Sequence, residues 1–278
     1  MASYHKVFSV CLLSLSSLFA NEDWWDGDEY ATHSDLQYQW ATNYLSKLHL
    51  EGTERILDIG CGDGRVTAFI AKSLPRGSVV GIDPSDSMLQ AAHAQMALPN
   101  LQFLKRDATQ LDFEREFDYV VSFSCLHWIF DHFAVLQGIE RALRPGGKVF
   151  LYFAADYECN RLDHAIDAIV ASPKWTCYFT DFVSPCFLIT PSQFAHYAKE
   201  AGLTLKRMDQ ITVDETFPDK SAFVAWMAAW MPQLKRLPQE LHQVFIEEVI
   251  DYYLEKRPSD PKDAIHYVGY WLEVELQG

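Results

Sequence analysis

Residues 56–64 read Ile56-Leu57-Asp58-Ile59-Gly60-Cys61-Gly62-Asp63-Gly64, a short apolar strand that runs into a turn with glycine at every second position. Glycine at 60, 62 and 64 lets the backbone turn sharply and lets a ligand approach with no Cβ in the way. Arg65 to Leu74 reads as a helix, and its first N–H groups face whatever sits over the turn. Asp58 and Asp63 place negative charge there. A diphosphate would be repelled by the two carboxylates, whereas a cation carrying an amino-acid moiety would be attracted. That points away from a nicotinamide dinucleotide and towards a sulfonium cofactor. A glycine turn by itself is weak evidence, so later strands of the chain must support the reading.

Outward from the turn the chain alternates. Ser78 to Asp83 is a second strand, Leu101 to Arg106 a third, Phe117 to Phe123 a fourth and Lys148 to Phe153 a fifth. Between them lie helical stretches at Ser85 to Met96, with Ser85 as the cap, and at Leu126 to Leu143, which is stopped by Arg144-Pro145-Gly146-Gly147. Strands alternating with helices of this length predict crossover units and a buried parallel sheet: an α/β, doubly wound, Rossmann-like fold. Upstream, Asp23 to Leu50 reads as one N-terminal helix, with Leu36, Trp40, Tyr44 and Leu45 at helical spacing. Downstream, Asp156 to Thr190 breaks the alternation with aromatics and prolines. A helix at Pro191 to Gly202, a strand at Thr204 to Met208, helices at Phe223 to Leu234 and Leu241 to Leu254, and a last strand at His266 to Leu276 complete the pattern. We expect one domain over 21–278, with a cofactor-binding core at about 50–155. Helical and aromatic insertions at about 156–190 and 215–260 would form a lid over the substrate.

The strand ends carry acids. Asp83 closes the second strand, where a carboxylate can bind both ribose hydroxyls. Asp107-Ala108 closes the third, where a carboxylate can accept from an adenine amino group, and Met88 can pack on the adenine face. Singly, each acid reads equally well as a strand-end cap; three successive strands ending this way make a nucleoside site.

Bulk properties narrow the partners. The formal net charge of −15 disfavours a nucleic-acid face, and Lys105-Arg106 and Lys235-Arg236 are too small to make a basic patch. The six cysteines contain no CxxC pair, so no metal site is expected, and their sparseness fits a reducing compartment. The N-terminus points elsewhere. One lysine lies in Met1 to Lys6, a serine-broken apolar run covers Val7 to Ala20, and Asn21-Glu22-Asp23 comes next. Residues 1–20 thus look like a secretory signal or another leader, too short to span a membrane, with Leu18 where a small residue is preferred.

As a set, these motifs resemble the class I, seven-stranded S-adenosylmethionine-dependent methyltransferases. Ile56 to Gly64 matches their first motif, Gly81-Ile82-Asp83-Pro84-Ser85 their second and Asp107-Ala108 their third. Phe117-Asp118-Tyr119-Val120-Val121-Ser122 matches the fourth strand, and Leu143-Arg144-Pro145-Gly146-Gly147 the turn before the fifth. The resemblance implies S-adenosyl-L-methionine as cofactor, held by Asp58, Gly60, Gly62, Asp83, Ser85, Met88, Asp107, Ala108 and the backbone near Ser124. It also implies a cytosolic location, where that cofactor is made, against the leader's suggestion of export.

A narrower resemblance joins Ser122-Phe123-Ser124-Cys125-Leu126-His127-Trp128-Ile129, Ala171-Ser172-Pro173-Lys174-Trp175, Tyr178 through Asp181 and Asp35-Leu36-Gln37 to the juvenile hormone acid methyltransferases. The trans-aconitate and malonyl-carrier-protein methyltransferases share the Leu-His-Trp or a similar triplet. These groups methylate carboxylates, which implies a small-molecule acid substrate oriented by Gln37, His127 and Trp128. A carboxylate is ionised at pH 7 and needs no general base, and its attack on a sulfonium cancels charge, which a dry aromatic pocket favours. Trp40, Trp128, Trp175, Phe182, Trp226 and Trp230 can supply such a pocket, although Trp226 and Trp230 read more readily as core. His127 can be a base for a hydroxyl acceptor, a donor to a carboxylate or the filler of a helix start. A hydroxyl, lipid or amine acceptor, and a cofactor-binding module without catalysis, stay open beside the carboxylate.

Overall fold

The computed structural model describes residues 24–157, 161–257 and 265–278; the leader read at 1–20, with Cys11 and Cys159, lies outside them. Seven strands form one sheet: β1 (Arg55–Ile59), β2 (Ser78–Asp83), β3 (Leu101–Lys105), β4 (Phe117–Phe123), β5 (Leu143–Ala154), β6 (Thr204–Thr216) and β7 (His266–Gln277). Their spatial order is β3-β2-β1-β4-β5-β7-β6. β1 to β5 pair in parallel, and β7 runs antiparallel between β5 and β6.

The period of two along each strand sorts side chains into two apolar layers. Ile56, Val121, Phe123, Phe150 and Tyr152 point into one layer. It is completed by α2 (Asp35–Leu45), α3 (Arg65–Lys72), α6 (Arg161–Val170), α8 (Lys220–Ala228) and α9 (Gln239–Glu255). Leu57, Ile59, Val120, Leu151 and Phe153 point into the other, which is covered by α5 (His132–Ala142) and α7 (Pro191–Glu200). Strands buried on both faces read as unbroken apolar runs, which is why β1, β2 and β4 stand out in the sequence. α1 (Gly27–His33) and α4 (Asp86–Gln95) pack on each other: the Gly27 N–H donates to the Ser87 hydroxyl at 2.8 Å, and a Cβ on Gly27 would lie 2.4 Å from the Ser87 carbonyl oxygen.

Five boundaries differ from the sequence reading. The N-terminal helix is two, α1 and α2, broken at Ser34, whose hydroxyl is drawn to Asp63 at 3.2 Å instead of capping α2. The stretch at 126–143 is a 3-10 turn at Leu126–Trp128 and then α5, started afresh by Asp131, whose carboxylate accepts from Ala134 N–H at 2.9 Å. β6 runs on to Thr216, and α8 stops at Ala228 before a separate turn at Pro232–Arg236. Arg144 to Gly147 is the bulged start of β5 and not a stop before it. Among the described residues no helix is long and apolar enough to cross a membrane, and no group of three metal-ligating side chains occurs.

Candidate active site

The carboxyl ends of the strands open into a cavity of about 930 Å³, which runs from Asp107 after β3 to Trp271 on β7. A smaller pocket of about 40 Å³, lined by Asp58, Gly60, Gly62, Ser124 and Gln37, adjoins it beneath α1 and α2. Ligand sites in doubly wound sheets lie at this edge, where the strand order reverses between β1 and β4.

The glycine turn is held from both sides. Gly60, Gly62 and Gly64 all have positive φ. A Cβ on Gly60 would lie 2.2 Å from Cys125 Sγ, and one on Gly64 2.6 Å from the Phe103 ring. A Cβ on Gly62 would meet nothing nearer than Tyr30 at 3.9 Å, so the backbone there borders open cavity. Asp83 braces the turn: its carboxylate accepts from Gly62 N–H at 3.0 Å and from Ser85 N–H at 2.9 Å. The Ser85 hydroxyl caps α4 by accepting from Met88 N–H at 3.0 Å, and Met88 is buried against the cavity. Asp107 accepts from the Thr109 N–H and hydroxyl, both at 2.8 Å, beside Ala108.

The two acids of the turn separate in role. Asp58 is 2 % exposed and accepts from the Thr67 hydroxyl at 2.7 Å. Burial pushes its carboxyl up to about 7, against the Thr67 hydrogen bond and with added repulsion from Asp83. A cation bound beside it would restore the charge. Asp63 takes the Ser34 hydroxyl and Arg65 N–H, while Arg65 pairs with Asp35 at 2.8 Å. It therefore clasps α2 to the turn, a structural duty the sequence pattern does not reveal.

Around Ser124 the polar groups change character. Ser124 has φ of 54°, a left-handed conformation unusual for serine, and among the described residues its buried Oγ and the buried Oε1 of Gln37 have no partner. His127 is buried, and its Nδ1 accepts from Ala154 N–H at 3.3 Å, which leaves the ring proton on Nε2. Burial, with His132 nearby, pushes its pKa down to about 3, so the ring is neutral at physiological pH. Trp128 is half-buried, edge-on to Trp25 at 5.4 Å and tilted against Trp230 at 6.4 Å.

Seven of the eight tryptophans line this cavity. The exception is Trp175, which packs on Phe245 at 5.1 Å and donates to Glu248 at 2.7 Å. This corrects its place in the aromatic pocket. Phe182 likewise stands behind the wall, edge-on to Trp24 at 6.1 Å. Trp226 and Trp230 change places in the other sense. Both border the cavity, and among the described residues the buried Nε1 of each, like that of Trp24, has no partner. They lie in the run Ala222 to Trp230, apolar at every position, so no polar face marks the cavity; the spacing of four is the available signal. Trp24, Trp25 and Tyr30 also reach the cavity from the N-terminal segment.

Residues 56–147 match a family profile described as a methyltransferase domain. A trans-aconitate 2-methyltransferase of Deinococcus radiodurans is 33% identical over 222 residues, 77% of this chain and 83% of that protein. The chain belongs to the class I S-adenosylmethionine-dependent methyltransferases. This methyltransferase is also 28% identical to the juvenile hormone acid O-methyltransferase of Drosophila melanogaster over 214 residues, 72% of this chain and 71% of that one. A crystal structure of a methyltransferase-like protein from Bacillus halodurans shares its fold, with a TM-score of 0.61 at 17% identity, covering 85% of this chain and 97% of the other. S-adenosylmethionine is the enzyme's cofactor, and the acidic strand ends, the glycine turn bordering open space and the unpartnered Ser124 and Gln37 fit a cationic nucleoside.

Proposed function

We propose that the enzyme transfers a methyl group to the carboxylate of a small, largely apolar acid and so forms a methyl ester. When bound, S-adenosylmethionine supplies an electrophilic methyl on a sulfonium. Asp83 is suited to accept from the ribose hydroxyls, Asp107 with Ala108 to meet the adenine edge, Met88 to cover its face, and Asp58 to oppose the cationic end beside Gly60 and Gly62. Ser85 acts through the turn it caps and Ser124 through its strained backbone.

The observation that carries the carboxylate reading is the state of His127. Its Nδ1 is taken by Ala154 N–H and its ring is neutral, so it offers the cavity an N–H and no basic lone pair. The neighbouring Cys125 thiol is pushed up by burial and also cannot serve as a base. A hydroxyl or ammonium acceptor would need a proton removed; a carboxylate needs only donors to orient it. His127 Nε2–H, the Gln37 amide and the indole N–H groups of Trp24 and Trp230 are such donors. The names of the Deinococcus and Drosophila relatives, each an acid methyltransferase, support the same reading.

A panel of carboxylic acids run against phenols and amines, with methyl-labelled S-adenosylmethionine, tests it. Base-labile label in the acid panel is expected; label confined to phenols or amines would sink the reading. The same reading locates the enzyme with its cofactor in the cytosol, which cell fractionation and N-terminal sequencing check.

A further inference from the structure

Past His127 the cavity continues to a second polar end that methyl transfer does not use. The His127 ring lies edge-on to Trp271 at 5.4 Å, and Trp271 Nε1 donates to the Tyr267 hydroxyl at 3.3 Å. Tyr267, Asp163 and Cys186 line the cavity there, close enough for the Asp163 charge to act on both neighbours. Asp163 is half-buried on α6 and, among the described residues, pairs with no cation. Burial pushes its carboxyl up to about 6, with Asp167 and Asp156 adding to the rise and His164 and its own backbone N–H opposing it. At pH 8 it is an anion that accepts hydrogen bonds. Burial and the Asp163 charge keep the Cys186 thiol protonated, so this is no nucleophile.

The surrounding groups ask for the opposite. Tyr267 already accepts from Trp271 and has its own proton to give. The Trp226 ring is 5.1 Å from Tyr267, and its buried Nε1–H has no partner among the described residues. One ligand group must therefore both donate, to Asp163, and accept, from Trp226 or Tyr267. A hydroxyl does both. An ammonium leaves the donors unanswered, a carboxylate faces the charge of Asp163, and a methyl leaves all of them unpaired.

We propose that this end of the cavity is a specificity subsite for a hydroxyl carried on the tail of the acid substrate, with Asp163 as acceptor and Trp226 as donor. The substrate is then a hydroxy acid whose polar ends are separated by an apolar stretch spanning one indole, that of Trp271. The proposal rests on the carboxylate reading above.

Initial rates of the full-length enzyme at pH 8 test it, with four medium-chain acids of matched length ending in methyl, hydroxyl, amine or carboxyl. The hydroxy acid is expected to show the highest kcat/KM, about tenfold above the dicarboxylic acid, and Asp163→Asn to compress that ratio to about threefold or less. Trp226→Phe is expected to slow the hydroxy acid about threefold more than the methyl-tailed acid. The wild-type ranking carries the test where Asp163→Asn does not fold. Equal rates for hydroxyl and carboxyl tails in the wild type, an amine tail that outruns the hydroxyl, or an uncompressed hydroxyl-to-carboxyl ratio in folded Asp163→Asn would overturn the subsite. Methylation of phenols with none of the four acids turned over defeats the carboxylate reading instead.

Discussion

The two ends of the cavity are built on opposite plans. At the glycine turn, the carboxylates are already partnered by nearby chain: Asp83 holds Gly62 and Ser85, Asp58 holds Thr67, Asp107 holds Thr109. At the acceptor end, the indole N–H groups of Trp24, Trp226 and Trp230 are buried with no partner among the described residues. The first end is organised before any ligand arrives and costs little to fill. The second carries an unmet hydrogen-bonding demand that only a ligand with acceptors satisfies, so it selects.

Breaking the first plan should have the largest effect. Gly60→Ala forces a Cβ against Cys125 at a φ of 74°, costing about 2–6 kcal/mol in overlap and strain, so both thermal stability and cofactor binding should collapse. A variant that melts and binds like the wild type would show that the turn is not rigid. Asp83→Ala removes the brace, and calorimetry should find cofactor affinity weaker by about 1.5–3 kcal/mol, roughly 10- to 150-fold. An unchanged Kd removes Asp83 from the site.

Protonation offers a gentler perturbation. The folded value for Asp58 is near 7, above its unfolded value near 4. Its contribution to the stability of the free enzyme is therefore full below about pH 4 and is lost as pH rises through 7. A cationic cofactor prefers the ionised form, so its Kd should be about tenfold weaker at pH 6 than at pH 8, and Asp58→Asn should flatten that dependence. A Kd independent of pH in the wild type contradicts the assignment. Smallest of all, Trp230→Phe keeps an aromatic ring and deletes the donor. We expect KM for the acid to rise about threefold to tenfold with the cofactor Kd unmoved; a shift in the cofactor Kd alone would assign Trp230 to the wrong end.

The same contrast explains what the sequence reveals. The cofactor end is written in short intervals: a strand, glycines two apart, then acids closing the next two strands. β6 is an edge strand, and its second half, Gln210 to Thr216, carries only Ile211 and Val213 as apolar positions, too short a signal to extend the strand, so pairing with β7 makes it one. Trp226 and Trp230 sit in a run apolar on every side, where a cavity wall and a core look alike. Asp163 and Tyr267 are about a hundred residues apart, and only the packing of α6 against β7 brings them together. Ser34 looks like a helix cap and becomes a clasp because Asp63 lies within reach.

The place of β7 sets an order of assembly. It is the last of the described strands in sequence order yet lies inside the sheet, between β5 and β6. During synthesis, β1 to β5 can pair as soon as they emerge, and the nucleoside half of the cavity needs nothing later. Until β7 arrives, the outer edge of β5 and the whole of β6 present unpaired N–H and C=O groups, the kind of edge that recruits foreign strands. The strand that closes this gap also brings Tyr267 and Trp271. A nascent chain therefore completes its cofactor cradle while still prone to aggregate, and becomes selective for its acceptor in the same step that makes it safe.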